Sequence, residues 1–230
     1  FKGVVGSNAC ENCEAGKYSS SSAQAICASC PTGATTDGDA KSSANECLCN
    51  SGYTGTSTCV ACQAGKYKGS LGPAACDQCL VDTFSAAAAT VCTDCGLGAK
   101  APAGSTAATA CKCNAGFTGP NGDTCSACVA GKFKNVEGPD PCTDCLADTY
   151  ADGTASTVCT DCPANTVTSG GTATTALEAC QCDSGYTGPD GGSCEACDAG
   201  TFKGVVGSDA CENCEAGKYS SSSAQAICAS

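Results

Sequence analysis

The chain has 230 residues, 27 of them cysteine, with eleven lysines as its only cations, no histidine and a formal charge of −12. Leu, Ile, Val and Phe together make up only about a tenth of it and Trp and Met are absent, so a large hydrophobic core is excluded. The acidic, arginine-free composition argues against nucleic acid and anionic membrane surfaces as partners, and no apolar run approaches the roughly 20 residues needed to cross a bilayer.

Cysteine at nearly 12 per cent of the chain places it in an oxidising compartment, secreted or on a cell surface, because cytosolic thiols are kept reduced. The thiols follow one order, CxxC three times and then CxC. One turn runs from Cys59 to Cys113, the next starts at Cys125 and the one after at Cys194, so the unit is 66 to 69 residues long. This ladder predicts a small disulfide-rich fold of tandem cysteine-rich modules forming an elongated rod, with short β-hairpins and little other regular structure. The expected modules are residues 1–61, with a truncated start, 62–127, 128–196 and a partial 197–230.

In chain order, residues 1–29 come first and return as 202–230, with Asp209 where Asn8 stood. Such a copy implies an array that continues beyond both ends. The first loop motif, CEAGKY, opens at Cys13 and reaches Cys27, enclosing Ser19, Ser20, Ser21 and Ser22. A hairpin motif follows from Cys47 to Cys59 with Gly52, Tyr53 and Gly55; it recurs at Cys111 to Cys125 with Gly116, Phe117 and Gly119, and at Cys180 to Cys194 with Gly185, Tyr186 and Gly188. Its glycines permit the positive φ angles of a tight turn. The CxAGKY motif returns at Cys62 to Cys76. Between Cys79 and Cys92 the run Ala86–Ala89 is too short for a helix and reads as a loop or one turn. The serine and threonine clusters, Ser19, Ser20, Ser21 and Ser22 and later Thr172, Thr174 and Thr175, read as solvated loops or as O-glycosylation sites. There is no Asn-x-Ser/Thr sequon for N-linked glycans.

CxCxxG(Y/F)xG followed by a final cysteine resembles the C-terminal half of an EGF-like module. That resemblance implies the pairs Cys49–Cys59, Cys113–Cys125 and Cys182–Cys194, and it implies no calcium, since the acidic calcium signature is missing. The CxAGKY loops resemble TNF-receptor-like and Eph-receptor-like cysteine-rich repeats, which implies the pairs Cys13–Cys27, Cys62–Cys76, Cys128–Cys142 and Cys197–Cys211. The middle cysteines admit two schemes, sequential (Cys79–Cys92, Cys95–Cys111) or crossed (Cys79–Cys95, Cys92–Cys111). Sequential pairing is preferred: it leaves only Cys10 without a partner, which would lie upstream of residue 1, whereas crossing strands Cys214 and Cys228 as well.

Chemistry has little foothold. CxxC pairs 13 residues apart fit a four-cysteine zinc site, but zinc leaves the CxC pairs unexplained, and a thioredoxin-type role needs one activated pair rather than a dozen. With no histidine, arginine or nucleophile motif, neither an enzyme nor a cofactor is expected. Every aromatic residue keeps a fixed distance from a cysteine, which reads as packing on bridges or neighbouring modules, with Tyr53, Phe117 and Tyr186 as the inter-module rings. Taken whole, the repeats resemble the tandem cysteine-rich surface proteins of algae and other protists. The resemblance implies a structural subunit of an extracellular filament such as a mastigoneme, with copies of itself, other filament proteins and O-linked glycans as partners. The alternative it leaves is the stalk or ligand-binding ectodomain of a receptor, an adhesin or a protist surface-coat antigen.

Overall fold

The computed structural model describes residues 11–230 apart from Ser22, Ala23 and Ala25; Phe1 and Cys10 lie outside the described residues. Thirteen disulfides join the 26 other cysteines strictly in order, each opening cysteine to the next cysteine along, including Cys79–Cys92 and Cys95–Cys111. The cysteines of a pair are 10 to 18 residues apart, and two residues, or one at CxC, connect each loop to the next. Closing a loop of this size removes about 3 kcal/mol of unfolded-state entropy. Within a module counted from Cys62, the first loop is Cys62–Cys76, the second Cys79–Cys92, the third Cys95–Cys111 and the fourth, a hairpin loop, Cys113–Cys125.

The same turn opens every loop. The third residue after the opening cysteine is left-handed in all thirteen, with φ between +63° and +89°. It is glycine in ten of them and Asp82, Asp148 or Asn165 in the rest, residue types that tolerate this conformation. At Cys62, the Gln63 carbonyl accepts the Lys66 N–H at 3.1 Å, with Gly65 in the third turn position, where a type II turn demands positive φ. The strand Lys66–Tyr67 follows and pairs antiparallel with Asp77–Gln78. These last two residues are the interior of the next CxxC. The arrangement recurs as Lys132–Phe133 with Thr143–Asp144 and as Thr201–Phe202 with Glu212–Asn213. Twelve two-stranded sheets and three 3-10 turns make up the regular structure, with no α-helix among the described residues. Ala86–Ala89 is a turn in which Ala88 is left-handed.

The chain divides into two compact units, one running to Lys112 and taking in Asn121–Asp123, the other made of Cys113–Pro120 and Thr124–Ser230. Inside each, backbone groups fix how successive loops stack. In the first, Gly65 N–H donates to the Ser85 carbonyl (2.9 Å), Lys68 N–H to the Ala89 carbonyl (3.1 Å), and Ala88 N–H back to the Cys62 carbonyl (2.8 Å). The Ala88 carbonyl then sits over Gly52, two loops earlier, where an added Cβ would lie 2.2 Å from the oxygen. Gly65 is covered in the same way by the Gly104 carbonyl. In the second unit the Ala155, Ala173 and Ala224 carbonyls cover Gly116, Gly131 and Gly185, and their N–H groups donate to the Cys128, Cys145 and Cys197 carbonyls. Each such loop therefore meets both its successor and the loop after that.

This register also explains two of the positions that are not glycine. Asp82 N–H donates to the Ala101 carbonyl while its Oδ1 accepts the Ala101 N–H (2.8 and 3.1 Å). Asp148 forms the matching pair with Thr168, to its Oγ1 and from its N–H, both at 2.9 Å. A carboxylate binds the next loop where no carbonyl has to pass over the Cα.

The core is sulfur and backbone. Cys79, Cys113, Cys145, Cys180 and Cys182 are fully enclosed, whereas fourteen of the seventeen Leu, Ile and Val side chains among the described residues are exposed. Aliphatic burial, at about 25 cal/mol per Å², therefore contributes little to this fold. Gly131→Ala is expected to cost about 2–5 kcal/mol in guanidinium unfolding of the oxidised protein, combining left-handed strain with a clash against backbone. Gly200→Ala, with the same φ sign but open space above it, should lose only the strain, about 1–2 kcal/mol.

Candidate functional site: the joint after each hairpin loop

Three lysines recur at one place in the repeat. Lys68, Lys134 and Lys203 are each the sixth residue after the opening cysteine of a first loop, directly after Tyr67, Phe133 or Phe202. The strand that carries the aromatic residue turns this next side chain inward, and all three lysines are 2–3% exposed. Their ammonium groups are satisfied by main-chain carbonyls. Lys68 Nζ donates to Asn50 (3.2 Å) and Tyr53 (2.6 Å) of the preceding hairpin loop. Lys134 Nζ donates to Phe117 (2.6 Å) and, in its own loop, to Gly138. Lys203 Nζ donates to Cys182 (3.4 Å), Tyr186 (2.8 Å) and Gly207. An ammonium has three N–H donors and no acceptor, so a ring of carbonyls is the neutral environment that lets it be buried. Burial still disfavours the charged form and pushes the Lys68 pKa below the ordinary lysine value of 10.5.

Further bonds complete each joint. Gly52, Gly116 and Gly185 N–H donate to the Lys68, Lys134 and Lys203 carbonyls at 2.7 to 2.8 Å, and Gly72, Gly138 and Gly207 N–H to the Cys49, Cys113 and Cys182 carbonyls at 2.8 to 2.9 Å. Thr54, Thr118 and Thr187 Oγ1 donate to the Ala74, Asp140 and Asp209 carbonyls at 2.8 to 2.9 Å. One lysine, one threonine and two glycines thus clamp each hairpin loop to its successor. The sixth position is equally buried in other loops but holds small residues: Ser85, Ala101, Ala151, Thr168 and Ser220. Lysine appears where the preceding loop is a hairpin whose turn carbonyls are still to be satisfied. Sequence reasoning missed these lysines because lysine is ordinarily a surface residue. The available signal was their restriction, in loops following CxC hairpins, to the residue after the aromatic.

The structure brings together Cys13–Cys27, Cys49–Cys59, Cys62–Cys76, Cys113–Cys125, Cys128–Cys142, Cys182–Cys194 and Cys197–Cys211 as disulfides. Tyr53, Phe117 and Tyr186 are half-buried at the joints, and their carbonyls, more than their rings, make the polar contacts to the lysines. The Tyr53 ring lies over Gly33 of the loop before, with its Cδ1 2.7 Å from where a Cβ would stand. Ser20, Ser21, Thr172 and Thr175 are exposed. Ser19 is half-buried with its hydroxyl donating to the Ser21 carbonyl, and Thr174, also half-buried, gives its carbonyl to Ala151 N–H. Ser22 lies outside the described residues. With all described cysteines in disulfides, no thiolate is on offer, and no group of three or more His, Cys, Asp or Glu among the described residues is placed to hold a metal.

Residues 3–47 match the family described as tyrosine-protein kinase ephrin type A/B receptor-like, over a second and a third loop. No curated protein matches the chain.

Lys134→Met keeps the stem but removes the ammonium, and leaving two carbonyls unsatisfied should cost about 1–3 kcal/mol, with faster amide exchange at Gly116 and Gly138. Lys132→Met removes only an exposed pair with Asp144 and should change stability by less than about 1 kcal/mol. Because the folded Lys68 pKa lies below its unfolded value, the unfolded chain binds more protons in the window beneath pH 10.5. The Lys68 contribution to stability therefore rises with pH through that window, and unfolding midpoints of Lys68→Met should lack this rise.

Proposed function

We propose that the chain is a structural subunit of an extracellular filament or cell-surface appendage, mastigoneme-like in character, built from EGF-like hairpin loops alternating with receptor-type cysteine-rich loops. The observation that carries this reading is the stacking register. The same arrangement of covered glycine, left-handed residue and cysteine carbonyl recurs at Gly52, Gly65, Gly116, Gly131 and Gly185, in both units. The copy of residues 1–29 at 202–230 supports it, since assembly on a lattice favours near-identical blocks. Thirteen disulfides and the receptor-type match point to an extracellular or secreted protein, and no helix among the described residues is long and apolar enough to cross a membrane. The role is non-catalytic. Its partners are further copies of the chain or other filament proteins, with O-linked glycans on Ser20, Ser21, Thr172 and Thr175, and Tyr53, Phe117 and Tyr186 stiffen the joints.

The second reading, a stalk or ligand-binding ectodomain of a receptor, adhesin or surface-coat antigen, is favoured by one observation, the match of residues 3–47 to a receptor-type family. Electron microscopy of the protein purified from its native source separates the two. Filaments with an axial repeat of whole modules are expected; isolated molecules on a membrane anchor would favour the stalk.

A further inference from the structure

Strictly sequential pairing has a mechanical consequence that holds for filament and stalk alike. Tension applied along the chain enters the bridged region at Cys13, crosses the disulfide to Cys27, follows two residues to Cys30, and continues in this way to Cys228. At every loop two covalent routes lie in parallel. The disulfide route spans 5.3 to 5.8 Å between Cα atoms. The peptide route contains 10 to 18 residues and would have to reach about 35–65 Å before carrying tension. The short route always tightens first.

We infer that the chain acts as a tether of covalently limited length, with the peptide of every loop held in reserve until a thiol reductant opens that loop. Summed over bridges and connectors, the route from Cys13 to Cys228 cannot exceed about 190 Å, against about 750 Å for the same residues without bridges. The stacking hydrogen bonds lie in parallel with this route and yield before it is drawn taut, but breaking them adds nothing beyond the limit. Release of the reserve is thiol–disulfide exchange. A reagent thiolate attacks one sulfur, the other cysteine leaves as a thiolate, and the second reagent thiol closes the reagent's own disulfide, so one bridge is reduced as one dithiol is oxidised. Burial sets the point of attack. The opening cysteines Cys62, Cys79, Cys128, Cys145 and Cys197 are enclosed, while their partners Cys76, Cys92, Cys142, Cys159 and Cys211 are half-buried and take the incoming thiolate.

Single-molecule pulling of the intact chain, with protein handles fused at both ends, tests this. The oxidised chain is expected to stop lengthening at the limit, with no later step. Adding dithiothreitol under constant force is expected to release discrete steps of about 30–55 Å, one for each bridge opened. The pair Cys79→Ser with Cys92→Ser should raise the oxidised limit by about 40 Å, a readout that does not require the variant to stack correctly. Three results would overturn the inference: an oxidised chain, its disulfides confirmed by peptide mapping, that extends well past the limit; absence of steps on reduction; or an unchanged limit in the double variant.

Discussion

The close passage of a backbone carbonyl over a bare Cα is the contact on which the rest of the stacking depends. At Gly52, Gly65, Gly116, Gly131 and Gly185 a carbonyl from two loops ahead occupies the space of a side chain. The residue supplying that carbonyl is itself left-handed, and at Ala88, Ala155, Ala173 and Ala224 its N–H reaches the opening cysteine of the loop between. One residue, through the peptide groups on its two sides, thereby ties three consecutive loops together. Alanine in a left-handed conformation costs about 1–2 kcal/mol. Its use at those four sites shows that the stacking bonds outweigh that strain, whereas at the glycines the space itself is occupied and no side chain is possible.

This arrangement replaces an aliphatic core. Sheet and helix proteins gain stability by enclosing Leu, Ile and Val; here most of these stay outside, and among the described residues the interior is filled by cystine, peptide groups, small Ala, Ser and Thr side chains and three lysines. A buried cation is ordinarily costly unless paired with a carboxylate. In this chain it is paired with carbonyls that the tight turns of the hairpin loops leave pointing inward, so two sets of otherwise unsatisfied groups meet each other. The choice also suits a chain with a charge of −12, because the joints need no bound cation to hold their carbonyls.

Much of this was legible in the sequence. The cysteine order gives the fold class, and CxxG gives the turn, since positive φ at the third position needs glycine or an Asx residue. What stayed hidden was long-range. Nothing in the spelling of CQAGKYKG says that Lys68 points inward while Lys66, two residues earlier, is exposed, because the strand Lys66–Tyr67 is only two residues long and Lys68 lies just beyond it. The Ala86–Ala89 run reads as a loop or one turn and is a turn; what its spelling does not show is that Ala88 is left-handed, because the Cys62 carbonyl and Gly52 fix both of its peptide groups. The spacing of the aromatic residues points to their rings as the stiffening elements of the joint. The polar contacts there run through their carbonyls to lysine, and these come into view only when the loops are placed against each other.

Stiffness and strength then reside in different interactions. Hydrogen bonds between loops, each worth about 1 kcal/mol net, set the spacing and orientation of neighbours and can break and re-form under load. Disulfides set the distance beyond which the chain cannot be drawn. Because every bridge closes on its immediate successor, no loop has to unthread from another when the stacking yields, and each returns to its neighbour with its disulfide already closed. A chain with an aliphatic core would have to rebuild that core from an extended state after the same excursion. Here each loop keeps its own covalent closure, so recovery requires only that adjacent loops find one another again.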